Sequence, residues 1–169
     1  MAKEIFLEID GKKVALTPEQ IKVLGLEEAK VNPFARVEKN NRKEYFYIND
    51  IGAICSSTDS DFVEDVARHG IANYCTDVNI LWQRKLHESL NRLLWRFSME
   101  NDGDKIDWKS GEFDKWFICY ENRIATMRPI DNCHQKNEGA IYFHTREIAQ
   151  RAIDEIVIPF MENHPDFIW

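Results

Sequence analysis

Glycine and proline are scarce in this chain, seven and five residues among 169. Long flexible linkers therefore have little to be made of, and one compact unit is the expected organisation. No run approaches the roughly 18 consecutive apolar residues of a membrane span. The opening residues Met1 to Glu8 alternate and carry charge early, unlike a signal peptide. Four cysteines (Cys55, Cys75, Cys119 and Cys133) form no C-x-x-C pair, and three lie in apolar stretches where Cys packs as a small hydrophobe. Free thiols in a reducing, cytoplasmic compartment are the expectation.

Other absences narrow the chemistry. There is no phosphate-cradling glycine loop, no G-x-S-x-G elbow and no H-E-x-x-H zinc helix. Cys119, Cys133, His134 and His144 lack the second close ligand pair of a structural zinc site, so no metal or cofactor is expected. Carboxylate pairs exist at Asp59 and Asp61, Asp102 and Asp104, and Asp131 with Glu138. They fall in polar segments that read as solvated, not in a pocket that would drive two pKa values apart. Cys133, in a polar loop, is the one thiol placed to react.

What the chain does hold is apolar residues (44%), aromatics (12%) and acid. Ten Phe, five Trp and five Tyr exceed what a core of this size needs, and aromatics are enriched at interface centres. The net charge is -7 and unevenly spread. Residues 1–43 carry nine Lys/Arg against seven Asp/Glu; the rest carries 13 against 22. Such a surface opposes phosphate binding except through a local basic face.

The periodicity predicts an α+β fold. Ile5–Ile9 and Lys13–Leu16 flank an Asp10-Gly11 hairpin turn, and Thr17-Pro18-Glu19-Gln20 starts a helix that stops at Gly25. A connector carrying the basic run Lys39 to Lys43 follows. Tyr45–Ile48 and Ile51–Cys55 read as strands around Asn49-Asp50. An acidic excursion over 56–70 with room for a short helical turn, a third strand at 71–75 and a helix over 77–97 capped by Thr76 come next. That helix repeats Val78, Leu81, Trp82, Leu86, Leu90, Leu93, Leu94 and Phe97 on one face. After a charged loop, Trp116–Tyr120 and Arg123–Met127 pair around Glu121-Asn122. Gly139–His144 then leads to a helix capped by Thr145.

The same grammar thus occurs twice, with 31 residues from Tyr45 to Thr76 and 29 from Trp116 to Thr145. The reading is an antiparallel sheet built from two diverged strand–strand–helix units. The boundaries are 1–43, 44–115 and 116–169, all within one domain.

Binding to a protein is the leading reading. The acidic candidates are Asp59, Asp61, Glu64, Asp65, Glu100, Asp102, Asp104 and Asp107, in loops that would occupy a basic groove. The basic face Arg84, Lys85, Arg92 and Arg96 offers the alternative of nucleic-acid binding. A site assembled between the two units would make an enzyme. The final Phe167-Ile168-Trp169 is costly to expose and should pack on the domain or on a second copy, as in a homodimer.

Two runs carry a resemblance. Glu44-Tyr45-Phe46-Tyr47-Ile48 with its turn and Thr-capped helix is one; Leu7 to Val14 followed by Thr17-Pro18-Glu19-Gln20 is the other. Together they resemble small accessory proteins of phages and prophages of Firmicutes. The resemblance brings no catalytic residues. It implies a bacterial host cytoplasm and, as partner, a host protein or nucleoprotein complex. Some such proteins inhibit host defence, anti-CRISPR proteins among them.

Overall fold

The computed structural model describes residues 6–9, 12–24, 32–37, 44–110, 115–121, 123–131 and 136–169. The Asp10-Gly11 turn, Gly25, the basic run 39–43, Asn122, Cys133 and His134 lie outside them.

Strands β1 (Phe6–Ile9) and β2 (Lys12–Ala15) form an antiparallel hairpin, with Phe6 opposite Ala15. Helix α1 (Pro18–Val23) begins with the expected capping box: Thr17 N–H donates to Gln20 Oε1 (2.9 Å), and Gln20 N–H to Thr17 Oγ1 (3.3 Å).

The second hairpin pairs β3 (Glu44–Ile48) with β4 (Ile54–Thr58). Its return strand starts later than the sequence led us to expect. Asn49 Oδ1 accepts from Ile51 N–H (3.2 Å) and Ala53 N–H (2.8 Å), and Gly52 takes φ of 78°. That side-chain turn lengthens the loop through Ala53. The acidic excursion then contains a full helix, α2 (Val63–Gly70).

The expected third strand at 71–75 shrinks to one bridge. Ala72 turns the chain at φ 56°, and Phe46 and Cys75 exchange backbone hydrogen bonds at 2.7 and 3.0 Å. The Asn73 amide supplies the next rung, accepting from Ile48 N–H (2.9 Å) and donating to Ile48 O (2.7 Å). Thr76 does not cap the next helix, because its N–H and hydroxyl both donate to Pro33 O. Asp77 is the cap, its Oδ1 accepting from Asn79 N–H at 2.9 Å.

Helix α3 (Val78–Glu100) is the spine. Leu86, Leu90, Leu94 and Phe97 are buried with Phe143, Ala149, Ala152, Val157, Phe160 and Phe167 in the main core. Leu81 packs instead with Ile48 and Cys75 in a smaller one. Val78 is exposed, and Trp82 and Leu93 are half-buried. A 3₁₀ turn (Gly103–Lys105) follows. Alanine at position 103 would bring its Cβ within 2.3 Å of Ser98 Oγ and 2.7 Å of Ser98 O, so this close approach requires glycine.

The last sheet has the order β6-β5-β7: β5 (Trp116–Glu121) pairs with β6 (Thr126–Asp131) and with β7 (Tyr142–Phe143). Here too the return strand starts later than expected, at Thr126. Thr145 caps α4 (Arg146–Ala152) through Ile148 N–H (3.3 Å), as expected. The helix widens into a π turn over Ile153–Val157 before α5 (Ile158–Asn163). Pro159 gives the reason: its ring crowds the carbonyl four residues back, and widening the preceding turn relieves that clash.

The fold is α+β with antiparallel sheets. Both halves place a hairpin's first strand between its second strand and a later segment, then enter a capped helix. They differ between the hairpin and that helix, since among the described residues only the first carries a helix there, α2. Among the described residues, no helix is long and apolar enough to cross a membrane.

Candidate functional site

The segment 59–71 is built around two buried carboxylates. Asp59, with a side chain only 1% exposed, takes Arg36 in a fork: Nε to Oδ2 at 2.6 Å and Nη2 to Oδ1 at 2.8 Å. Tyr74 Oη (3.1 Å) and Asp61 N–H (3.0 Å) donate to the same carboxylate. The Arg36 guanidinium holds Asp59 down to about 2, against an ordinary value of 3.8. Arg36 is shifted upward in turn, chiefly by its hydrogen bond to Asp59. Burial pushes Tyr74 up to about 12.

Asp65 occupies the third position of α2. Its Oδ2 accepts from Ser60 N–H (3.0 Å) and Phe62 N–H (3.2 Å), tying down the helix start. Its Oδ1 accepts from Tyr45 Oη at 2.6 Å, and Tyr45 accepts from Arg68 Nη1 at 2.8 Å. Burial pushes Asp65 up, but these hydrogen bonds outweigh it and the net shift is downward. Tyr45 and Tyr74 stack at 4.0 Å between centroids and 11° between planes, joining the two networks. Arg68 also lies over the Tyr47 ring at 3.8 Å.

This anchoring turns α2 inside out. Its polar residues Asp65 and Arg68 face the body through Tyr45 and Tyr47. Its apolar residues face solvent: Val63 is 75% exposed, Val66 49%, and the flanking Phe62 and Ile71 67% and 70%. Positions 63, 66, 67, 70 and 71 share one side of a helix, opposite Asp65. An apolar helical face rimmed by acid, with Glu64 exposed and Asp61 partly so, is an arrangement that recognises another surface.

The sequence-derived acidic set is therefore redistributed. Asp59 and Asp65, expected on a solvated acidic surface, are interior and fully engaged. Asp61 shares Arg36 at 2.9 Å and sits at φ 64°, while Glu64 is exposed beside the apolar face. Asp102 pairs with Lys105 at 2.6 Å, Asp107 accepts from Lys109 N–H at 2.8 Å, and Glu100 and Asp104 are exposed. The two acidic segments do not make one site. Segment 32–37 binds both Asp59 and Thr76, placing the first near the start of α3; the second follows its end, about 34 Å along the helix.

The basic face is largely neutralised. Arg84 Nε and Arg92 Nη2 both bind Glu88, at 2.8 and 3.1 Å. Arg84 also donates to Ala72 O. Lys85 lies over the Trp82 ring at 4.8 Å, leaving Arg96 exposed.

Cys55, Cys75 and Cys119 are free thiols, and burial pushes Cys75 up, away from the thiolate form a nucleophile needs. Among the described residues, no group of His, Cys, Asp and Glu is arranged to hold a metal ion.

Sequence reasoning allowed a short helical turn within 56–70 but missed that it is the full helix α2. The signal was there: Phe62, Val63, Val66, Ala67 and Ile71 recur at helical spacing, with an acid at the third position. The density of acids drew the reading toward a loop. Comparison with family models, curated proteins and solved structures finds no match.

Proposed function

We propose that this chain is a non-catalytic protein-binding factor that docks through the outward face of α2. The observation that carries this reading is the inversion of α2, which anchors Asp65 and Arg68 inward and presents Phe62, Val63, Val66 and Ile71 outward. The partner is a protein with an apolar groove flanked by basic side chains, complementary to the acidic rim and to the net charge of -7. The resemblance to phage accessory proteins gives this its particular form, an inhibitor of a host nucleic-acid-handling or CRISPR-type complex, whose grooves are basic.

The test is affinity capture from bacterial lysate, with and without nuclease, comparing wild type with Val63→Asp/Val66→Asp. A stoichiometric protein that survives nuclease and is lost in the variant, at an unchanged melting temperature, is expected. Equal capture by wild type and variant overturns the assignment of the face. So does a concentration-dependent dimer that the variant abolishes, which would give the face to a second copy.

A further inference from the structure

The second hairpin leaves one strand edge open. Along β3, Phe46 exchanges backbone hydrogen bonds with Cys75, and Ile48 pairs in the same way with the Asn73 amide. Both residues therefore turn their N–H and C=O away from β4. These groups alternate sides along a strand, so Tyr45 and Tyr47 face β4 and bond to their register partners Ser57 and Cys55. Asn49 N–H, donating to Ala53 O at 2.9 Å, continues the same alternation. The N–H and C=O groups of Ile54, Ser56 and Thr58 must then point along the outer edge of β4. Among the described residues none of these groups has a hydrogen-bond partner, and Ser56 and Thr58 are exposed.

Open edges are ordinarily blunted by charge, proline or brevity. The rest of the fold follows that rule. The β1–β2 hairpin holds Glu8, Lys12 and Lys13; β6 holds Arg128, Pro129 and Asp131; β7 is two residues long. The outer edge of β3 is closed by Cys75 and Asn73. Strand β4 has none of these devices. No charge or proline occurs from Ile51 to Thr58, and Asp59 beyond it is neutralised by Arg36.

We infer that a second copy of this chain adds to this edge, β4 against β4 and antiparallel, about a two-fold axis at Ser56. The strand is complementary to itself in that register. Ser56 meets the partner's Ser56, and Ile54 meets the partner's Thr58, so every outward-pointing residue faces another. An axis at Cys55 or Ser57 would instead bring together groups already used inside the hairpin. No like charges oppose each other, because the strand carries none. The two hairpins then form one four-stranded sheet whose outer edges are both closed by Cys75 and Asn73. Helix α2 packs on the sheet's tyrosine face through Tyr45 and Tyr47, so its own outer face takes no part.

Sedimentation equilibrium of the full chain over a concentration series should show a reversible dimer. Ser56→Lys and Ser56→Glu each set two like charges face to face across the axis and should weaken self-association by at least about tenfold. Because Ser56 is exposed, both variants should melt as wild type does. An equimolar mixture of the two should restore the dimer, since opposite charges then face each other; damage to the fold would not be repaired by mixing. Val63→Asp/Val66→Asp should dimerise as wild type does, which separates this contact from the α2 face. The inference is overturned if wild type stays monomeric throughout the series, or if either charged variant associates like wild type. A mixture that stays monomeric, or a dimer lost in the α2 variant, overturns it equally.

Discussion

Asp59 shows how much of this protein's local order rests on single side chains. Its carboxylate gathers Arg36, Tyr74 and the backbone of Asp61, so it fixes the connector, the aromatic stack and the entry to α2 together. Because the folded pKa, about 2, lies below the ordinary 3.8, the stabilisation is complete above about pH 4. It is lost as pH falls through about 2, and Asp65, shifted the same way, adds to the loss. Arg36→Ala removes the main cause of the shift and leaves a buried carboxylate short of its cation. The melting temperature at pH 7 should fall, and its decline between about pH 4 and 2 should flatten. Circular-dichroism melts across that range check this; parallel curves for wild type and variant would contradict it.

At the scale of elements, periodicity was a good guide where one apolar face meets one core. Leu86, Leu90, Leu94 and Phe97 lie inside as their spacing requires. Val78, on the same stripe, is exposed because the helix begins there, short of the main core. Helix starts were legible at Thr17 and Thr145 but not at α3, where Thr76 and Asp77 both qualify and only tertiary context decides. Pro33 O takes the threonine, leaving the aspartate to cap. Asp77→Ala should therefore cost about 1 kcal/mol in chemical denaturation, the usual worth of an N-cap. A loss confined to noise would return the cap to Thr76. Hairpin returns were read early at both β4 and β6. A side-chain turn at Asn49 and a left-handed Ala125 (φ 47°) lengthen the loops without any change in hydrophobic pattern. The candidate face was the least legible feature. An apolar stripe is ordinarily assigned to a core, and nothing short of the Tyr45–Asp65–Arg68 contacts tells that this one points outward.

For the whole molecule, the final residues act as a strap. Trp82 Nε1 donates to Asp166 Oδ2 at 2.5 Å, Gln83 Nε2 to Asp166 O at 2.7 Å, and Ile168 N–H to Gln83 Oε1 at 3.0 Å. Phe167 sits edge-on to Phe160 at 5.5 Å and is buried in the main core. Phe167 thus packs on its own chain, whereas Ile168 and Trp169, expected to be covered with it, stay 69% and 38% exposed. Phe167→Ala should cost about 3 kcal/mol in equilibrium unfolding, as deletion of a buried aromatic does. It should also shift the emission of Trp82, whose indole loses its ordered acceptor. An unchanged midpoint would mean that the strap is ornamental to stability.

The division of α3 between two cores sets how the molecule comes apart. Its first turns serve the small cluster of Ile48, Cys75 and Leu81, and the remainder serves the large one. The β3–β4 hairpin and its polar clasp thus lean on a few apolar contacts, whereas the turns of α3 from Leu86 to Phe97 share one interior with Phe143, α4 and α5. Amide protons in the hairpin would exchange through a shallow opening that leaves the larger unit closed, and those of the later turns of α3 only when the chain unfolds as a whole. The helix that joins the two halves is therefore also the boundary between a readily opened unit and a slowly exchanging one.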